Sequence, residues 1–147
     1  MQRHGWRLLG HPFFRDPYEE LIARVGKLER RDPKGYKSHP AAKFLAYLQY
    51  LVLESIPSNP NRPGFRQGNT LGADHRHWFR AKFNGRYRLF YRFSSEAKII
   101  VYAWINDEST LRKAGSRRDP YAVFRGMLES GDPPRSFEDL VRRSKAM

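Results

Sequence analysis

Residues 78–93 read WFRAKFNGRYRLFYRF, and apolar and basic side chains alternate on both sides of the Asn84-Gly85 pair. Successive side chains of a β-strand point to opposite faces, so this alternation is typical of a strand. An Asn-Gly pair between two such runs favours a hairpin turn. The stretch therefore predicts two antiparallel strands, Trp78 to Phe83 and Arg86 to Phe93.

The register of this hairpin decides which side chains share a face. A strict two-residue turn would set Lys82 beside Tyr87 and mix charge into the apolar face. A three-residue loop with a bulge at Gly85 or Arg86 instead pairs Lys82 with Arg88 and leaves each face uniform. Because a one-residue slip moves every side chain to the other face, we predict the second register. It places five cations on one surface: Arg80, Lys82, Arg86, Arg88 and Arg92.

The rest of the chain supplies the other layers of the fold. In the N-terminal half, Trp6 to Leu9 is a strand-like segment too short for alternation alone to establish a strand. A helix capped by Asp16 and ending near Arg31 follows, and a second helix runs from Pro40 to Ile56. The proline- and glycine-rich segment Pro57 to Gly68 leads into the sheet. A third strand follows from Lys98 to Ile105, and two short helices follow Asp119 and Ser136.

These elements predict an α+β fold in which an N-terminal helical hairpin packs on a mostly antiparallel sheet with short C-terminal helices. The 147 residues are 39% hydrophobic, which suits one core, so we expect a single domain over residues 1–147. The chain has no cysteine, which excludes disulfides, thiolate zinc sites and cysteine nucleophiles. The lack of cysteine gives no sign of an oxidising exterior, so we expect a cytoplasmic protein. The apolar stretches fall short of the roughly 20 residues that span a bilayer, so we expect no membrane contact.

The charge balance favours a polyanionic partner. Lys and Arg number 28 against 15 Asp and Glu, a net charge of +13. Like charges directly across a sheet are destabilising, so a basic surface on two neighbouring strands predicts an anion such as nucleic acid. Aromatic side chains near it favour single-stranded RNA, although packing in the core is the ordinary use of such rings. The expected RNA-binding residues are Arg76, His77, Trp78, Arg86, Phe90 and Arg92, with Trp104 as a further aromatic candidate.

The same surface is suited to RNA cleavage. Internal cleavage needs proton transfer and positive charge on the phosphorus-centred transition state. Arginine stays charged, whereas lysine can exchange a proton, so Lys82 between Arg80 and Arg88 is the candidate for proton transfer. The alternative is a non-catalytic RNA-binding or ribosome-binding module with the same cations. His75 and His77 lack a third ligand, and we expect neither a metal nor a cofactor.

Three motifs resemble the YhaV toxins of the RelE-like superfamily of type II toxin–antitoxin ribonucleases. They are FRAKF at 79–83, GRYRLFYR at 85–92 and WINDESTLR at 104–112, and the likeness extends from Gly5 to Pro134. The resemblance implies a metal-independent endoribonuclease that cleaves mRNA, on or off the ribosome. It also implies a PrlF-like antitoxin with an AbrB-type fold, and contact with operator DNA only through the antitoxin complex.

Carried over by position, the resemblance places catalytic roles on Arg80, Lys82 and Arg88. A further arginine of RelE-like enzymes has no match at Asn106 or Asp107. Two hypotheses address this departure: Arg112 replaces the missing arginine, or Asp107 and Glu108 take part in proton transfer.

Overall fold

The computed structural model describes residues 1–147. It confirms the α+β prediction: helices lie on both faces of one six-stranded sheet with the path β1-β2-β5-β4-β3 and β6 beside β2. The strands are β1 Gln2–Arg3, β2 Trp6–Gly10, β3 Phe79–Phe83, β4 Tyr87–Ser94, β5 Ile99–Ile105 and β6 Lys145–Ala146. The α-helices are α1 Pro12–Arg31, α2 Pro40–Tyr50, α3 Ile56–Ser58, α4 Pro120–Ser130 and α5 Phe137–Arg143. No helix has the length and apolar character needed to cross a bilayer.

The predicted register of the β3–β4 hairpin is confirmed. Phe83 pairs with Tyr87 and Lys82 with Arg88, so residues 84–86 form a three-residue loop. Asn84 and Gly85 both adopt left-handed backbone conformations, with φ of 46° and 75°. Asparagine and glycine tolerate this region better than other residues, which explains why the turn forms at this pair.

Strand β2 lies beside β5, the middle strand of the path β1-β2-β5-β4-β3. Strand β2 pairs in parallel with β5, with Leu8 opposite Ile100, while the other four strand pairs are antiparallel. The prediction of a mostly antiparallel sheet is therefore confirmed. Parallel strands need a long connection between them. The helical hairpin and strands β3 and β4, which lie between β2 and β5 in the chain, provide it.

Helix α1 begins earlier than predicted. The expected cap Asp16 lies inside the helix, which starts at Pro12 with His11 as its N-cap. The prediction was wrong because His11-Pro12 supplies the same start signal as Asp16-Pro17, namely a side-chain acceptor followed by proline. The earlier start buries Phe14 completely.

The second helical arm begins at Pro40, as predicted, with His39 as its N-cap. It continues past Tyr50 through a π-helical turn, Leu51–Ser55, and ends in α3 at Ser58 rather than at Ile56. The Tyr102 hydroxyl donates to the carbonyl oxygen of Val52 over 2.6 Å. This bond ties the π-helical turn to the central strand β5.

The helical hairpin of α1 and α2 covers one face of the sheet. Its buried side chains pack against apolar residues of β3, β4 and β5 that point the same way, including Ala81, Leu89 and Tyr102. This confirms the predicted packing of the hairpin on the sheet. Burial of one apolar face in this way is the main source of stability for an amphipathic helix.

Helices α4 and α5 cover part of the opposite face. Phe124 of α4 stacks on Phe90 with ring centroids 4.4 Å apart, and it meets Trp78 edge to face at 5.0 Å. Trp78 is 1% exposed and Phe90 is completely buried. The prediction that these two rings stack on RNA bases was wrong, because packing under α4 takes up both rings.

The side chain of His11 connects the start of α1 to the C-terminal region. It is completely buried. Its Nδ1 accepts a hydrogen bond from the Phe13 N–H over 3.0 Å, and its Nε2 lies 2.9 Å from Oδ1 of Asp132. Burial lowers the pKa of His11, although Asp132 opposes the shift. The neutral ring fits both contacts, since an acceptor at Nδ1 leaves Nε2 as the donor.

We expect the free energy of unfolding to fall as the pH drops below about 6.5, the usual histidine pKa. The unfolded chain then binds protons that the folded His11 resists, which favours unfolding. Replacing His11 by Asn, which keeps a cap acceptor, should weaken this pH dependence in urea titrations. Part of it should remain, because burial also lowers the pKa of His75 and lowers that of His77 to about 4.

The matched control is His39→Asn, which removes the histidine at the corresponding cap of α2. We expect this control to keep the pH dependence of the unmodified protein. An identical pH profile for His11→Asn and the unmodified protein would contradict the role given to His11.

Candidate active site

Two arginines of neighbouring strands converge on one hydroxyl group. The Nε atoms of Arg80 and Arg88 donate to the hydroxyl oxygen of Tyr121 over 2.9 Å and 3.2 Å. The register of β3 and β4 places both arginines on the same face of the sheet, and Tyr121 is the second residue of α4. The hydroxyl proton of Tyr121 has no acceptor within the protein, so it can be donated to a ligand.

Both guanidinium groups are held from a second side. Nη1 of Arg88 donates to the carbonyl oxygens of Gly85 and Tyr87 over 2.9 Å and 2.8 Å. Nη1 of Arg80 donates to the carbonyl oxygen of Gly64 over 2.7 Å. Arg88 is only 7% exposed. These contacts fix the positive charges before any anion binds, which is the arrangement that stabilises charge in a transition state.

Arg112 brings a third guanidinium group to the same tyrosine. Its Cζ lies 4.9 Å from the centroid of the Tyr121 ring, within the range of a cation–π contact. Its Nη1 also pairs with Oδ1 of Asp119, the N-cap residue of α4. Asp119 further accepts from the N–H groups of Lys113 and Tyr121 over 2.8 Å and 3.1 Å. One buried carboxylate thus joins the Arg112 segment to the start of α4.

Asn106 is one of the two positions, with Asp107, at which the family resemblance leads us to expect an arginine. It is buried, and its Oδ1 accepts from the backbone N–H of Arg88 over 2.7 Å. Its Nδ2 donates to the carbonyl oxygens of Arg86 and Thr110 over 3.2 Å and 2.7 Å. Asn106 therefore fastens the segment that carries Arg112 to strand β4. The hypothesis that Arg112 supplies the absent cation is compatible with this geometry.

Lys82 lies directly across the hairpin from Arg88 and on the same face. It is exposed, and its ammonium group makes neither a hydrogen bond nor an ion pair within the protein. It is therefore free to meet a substrate. The arginine–tyrosine cluster, by which we mean Arg80, Lys82, Arg88, Arg112 and Tyr121, brings together the four predicted catalytic residues and one that the sequence analysis did not select.

Asp107 and Glu108 do not join the arginine–tyrosine cluster. They line a cavity of about 610 Å³ on the side of the helical hairpin, together with Tyr18, Phe44 and Tyr87. Oδ1 of Asp107 accepts hydrogen bonds from Ser109 and Thr110, which lower the pKa of this carboxyl. Asp107 is used as the cap of the turn at residues 108–110, and nothing in its contacts favours the hypothesis that Asp107 and Glu108 take part in proton transfer, which stays a hypothesis.

The predicted RNA-binding cations lie in different surroundings. Arg92 packs between Trp78 and Phe137 with its Cζ 5.5 Å and 5.4 Å from the ring centroids, and burial lowers its pKa to about 10. This packing uses Arg92 in the core contacts of α5 rather than in the cluster. Arg86 remains close to the cluster, because its Nε donates to the carbonyl oxygen of Arg112 over 3.0 Å.

Arg76 and His77 lie in the turn before β3. Nε of Arg76 donates to Oδ1 of Asn69 over 2.6 Å. Desolvation, with a smaller effect of the positive charge of Arg92, lowers the pKa of His77 to about 4. His77 is therefore neutral near pH 7, so any contact that it makes with RNA is through a neutral ring.

Tyr121 lies in the helix predicted to follow Asp119 and is not among the predicted site residues. Its ring does belong to the core under that helix. Its hydroxyl, however, reaches the sheet surface, because the residue stands two positions after the N-cap Asp119, at the end of α4 that faces Arg80 and Arg88. The amphipathic nature of tyrosine is the one signal in the sequence that pointed to a second role.

The arrangement as a whole fits a phosphodiester. Arg80 and Arg88 meet at the Tyr121 hydroxyl, Arg112 lies over the same ring, and Lys82 stands across the hairpin from Arg88. Such groups bind the oxygens of phosphate through charge-assisted hydrogen bonds. Lysine can exchange a proton whereas arginine stays protonated, so Lys82 is the member of the cluster suited to proton transfer. The geometry therefore permits both binding and cleavage of nucleic acid.

Comparisons with known proteins point in the same direction. A family described as a toxin with endonuclease activity, of a toxin-antitoxin system, matches residues 8–145. The chain is 43% identical over 144 residues to the "Ribonuclease toxin YhaV" of Escherichia coli (strain K12), covering 97% of this chain and 94% of that protein. The "Toxin YhaV" of Escherichia coli O157:H7 shows the same identity and coverage. No solved structure matches the chain.

We expect replacement of Asp119 by Ala to destabilise the protein by about 2–3 kcal/mol in urea unfolding. The loss combines a helix cap, typically about 1 kcal/mol, with charged hydrogen bonds to the Arg112 segment, discounted because Arg112 is partly exposed. The control is Ser136→Ala, which removes the cap of α5 but no ion pair. Equal losses for the two variants would show that Asp119 acts only as a cap.

Proposed function

The chain belongs to the YhaV toxin family, and we propose that it is a toxin that cleaves RNA through the arginine–tyrosine cluster. The observation that carries this proposal is the convergence of Arg80 and Arg88 on the Tyr121 hydroxyl, with an unpaired Lys82 beside them. The family and the relative named a ribonuclease toxin supply the reaction class. The geometry supports the choice of residues.

The proposed reaction is attack of a ribose 2′-hydroxyl on the adjacent phosphorus. A bond forms between the 2′-oxygen and phosphorus, and the bond from phosphorus to the 5′-oxygen breaks. One proton leaves the 2′-hydroxyl and one is delivered to the 5′-oxygen, so the ends are a 2′,3′-cyclic phosphate and a 5′-hydroxyl. The step needs no metal, because the protein itself supplies positive charge at the phosphate.

Each member of the arginine–tyrosine cluster has a proposed role in this step. Arg80 and Arg88 bind the non-bridging oxygens, on which negative charge increases in the transition state. Lys82 transfers a proton, since it is exposed and its ammonium group is unpaired. The free hydroxyl proton of Tyr121 is directed to the phosphate or to the departing oxygen, and Arg112 adds charge from the other side of the ring.

We further propose partners that fit the charge of the molecule. A chain of net charge +13 with a basic cluster suits mRNA in the cytoplasm, on or off the ribosome. Neutralisation calls for a partner that covers this charge, and the family resemblance suggests a PrlF-like antitoxin with an AbrB-type fold. Operator DNA would then be reached through that antitoxin. The order of the elements and the basic hairpin also support a RelE-like fold for this toxin.

The decisive experiment measures cleavage of a defined mRNA by the purified chain in EDTA, with and without translating ribosomes. We expect cutting in EDTA with 5′-hydroxyl ends. Lys82→Ala should reduce the rate by about 10²-fold or more, the range for loss of proton transfer. The control is Lys27→Ala, which removes an equal charge from α1 on the other side of the sheet and should leave the rate unchanged.

The outcomes separate the two functions that the charge pattern permits. Equal losses for Lys82→Ala and Lys27→Ala would remove Lys82 from the mechanism. Retained RNA binding without any cutting, in either setting, would support a non-catalytic RNA-binding module instead.

A second variant tests the hydroxyl of Tyr121. Tyr121→Phe keeps the ring under Arg112 and in the core but removes the acceptor shared by Arg80 and Arg88. We expect cleavage under saturating RNA to fall by about 10²-fold, within the range for loss of an acid or an oxyanion donor. The control is Tyr47→Phe at an exposed position of α2, and this variant should cut RNA like the unmodified protein. Unchanged cleavage by Tyr121→Phe would limit Tyr121 to packing.

A further inference from the structure

A groove of about 600 Å³ leads away from the arginine–tyrosine cluster along α4. It begins at Arg112 and Tyr121 and runs between the exposed side of α4 and the loop of residues 114–117. The groove is thus continuous with the proposed site of cleavage, and its volume lies within the range of cavities that hold small ligands.

The floor of this groove is built from small residues. Ala122 and Gly126 stand one helical turn apart on the exposed side of α4, and both line the groove. A Cβ atom added to Gly126 would meet no atom within 4 Å. Glycine is the weakest helix former after proline, and nothing in the packing of the protein requires it here. Glycine at position 126 therefore keeps the space above it open, although a larger residue would stabilise the helix.

The cations along the groove differ in their availability. The Arg125 side chain pairs with Glu129 over 2.9 Å, and Arg112 pairs with Asp119. Arg117 is exposed and has neither an ion pair nor a side-chain hydrogen bond within the protein. Its guanidinium group can therefore bind a phosphate without breaking another contact.

We propose that this α4 groove is a subsite for one nucleotide of single-stranded RNA next to the scissile phosphate. The base lies on Ala122 and Gly126, and Arg117 binds the neighbouring phosphate. Gly126 is five residues beyond Tyr121, about 7.5 Å along the helix axis, a distance comparable with the step from one nucleotide to the next. This inference rests on the proposed function, since it extends the same site.

The first test fills the groove without weakening the helix. Gly126→Leu places a side chain over the floor, and Gly26→Leu makes the same change in α1, where a Cβ atom meets only the end of Arg30 at 3.5 Å. With a single-stranded RNA library and mapped ends, we expect Gly126→Leu to raise KM by about 10-fold and to redistribute the cut positions. Gly26→Leu should match the unmodified protein. Unchanged KM and unchanged cut positions for Gly126→Leu would overturn the inference.

The second test is binding, so that failure of cleavage and failure of the subsite can be told apart. The probe is a single-stranded RNA with 2′-O-methyl groups, which cannot attack its own phosphate. We expect Gly126→Leu and Arg117→Ala to weaken its binding by about 10-fold, and Arg31→Ala, an equal loss of charge at the end of α1, to have a smaller effect.

Each combination of results has a separate meaning. If the unmodified protein binds this probe through Gly126 and Arg117 but cuts no RNA, the ribonuclease proposal fails and the groove stands as an RNA site. If it cuts RNA while both groove variants bind the probe normally, the subsite is overturned and the ribonuclease proposal stands.

Discussion

The hydrogen bonds from Arg80 and Arg88 to the Tyr121 hydroxyl are the interaction on which the arrangement of this protein depends. Two like charges on neighbouring strands repel each other and resist burial under a helix. The phenol oxygen accepts from both, while its ring continues into the apolar core formed by Phe90 and Phe124. One tyrosine therefore lets α4 cover a sheet face that carries cations.

Strand β4 shows how one strand serves both core and site. Every second residue of β4 points to the face covered by α4, and these residues are Arg88, Phe90 and Arg92. The residues between them point to the helical hairpin. Arg88, beside the hairpin loop, belongs to the arginine–tyrosine cluster, whereas Phe90 lies in the core. Arg92 packs between Trp78 and Phe137. Position along the strand, rather than residue type, decides which arginine joins the arginine–tyrosine cluster.

The acidic residues are distributed so that the cluster keeps its positive charge. Asp119 is hydrogen-bonded to Arg112 and is used at the same time as a helix cap. Asp107 and Glu108 lie instead in the cavity on the side of the helical hairpin. A surface with this excess of positive charge favours a polyanionic ligand, and the mutual repulsion of its charges is relieved when an anionic partner covers it. This fits a toxin of a toxin–antitoxin system.

The sequence by itself determined the local elements and the basic face. Alternation in residues 78–93 was enough to predict the register that pairs Lys82 with Arg88, because a slip by one residue would have moved the apolar side chains to the other face of the sheet. Periodicity also predicted the helices, apart from the start of α1, where two similar cap signals compete. Tertiary structure alone decided the parallel pairing of β2 with β5 and the approach of α4 to β3 and β4. Burial of Trp78 and the contacts of Tyr121 with Arg80 and Arg88 follow from that approach, because contacts between distant segments are absent from local patterns of sequence.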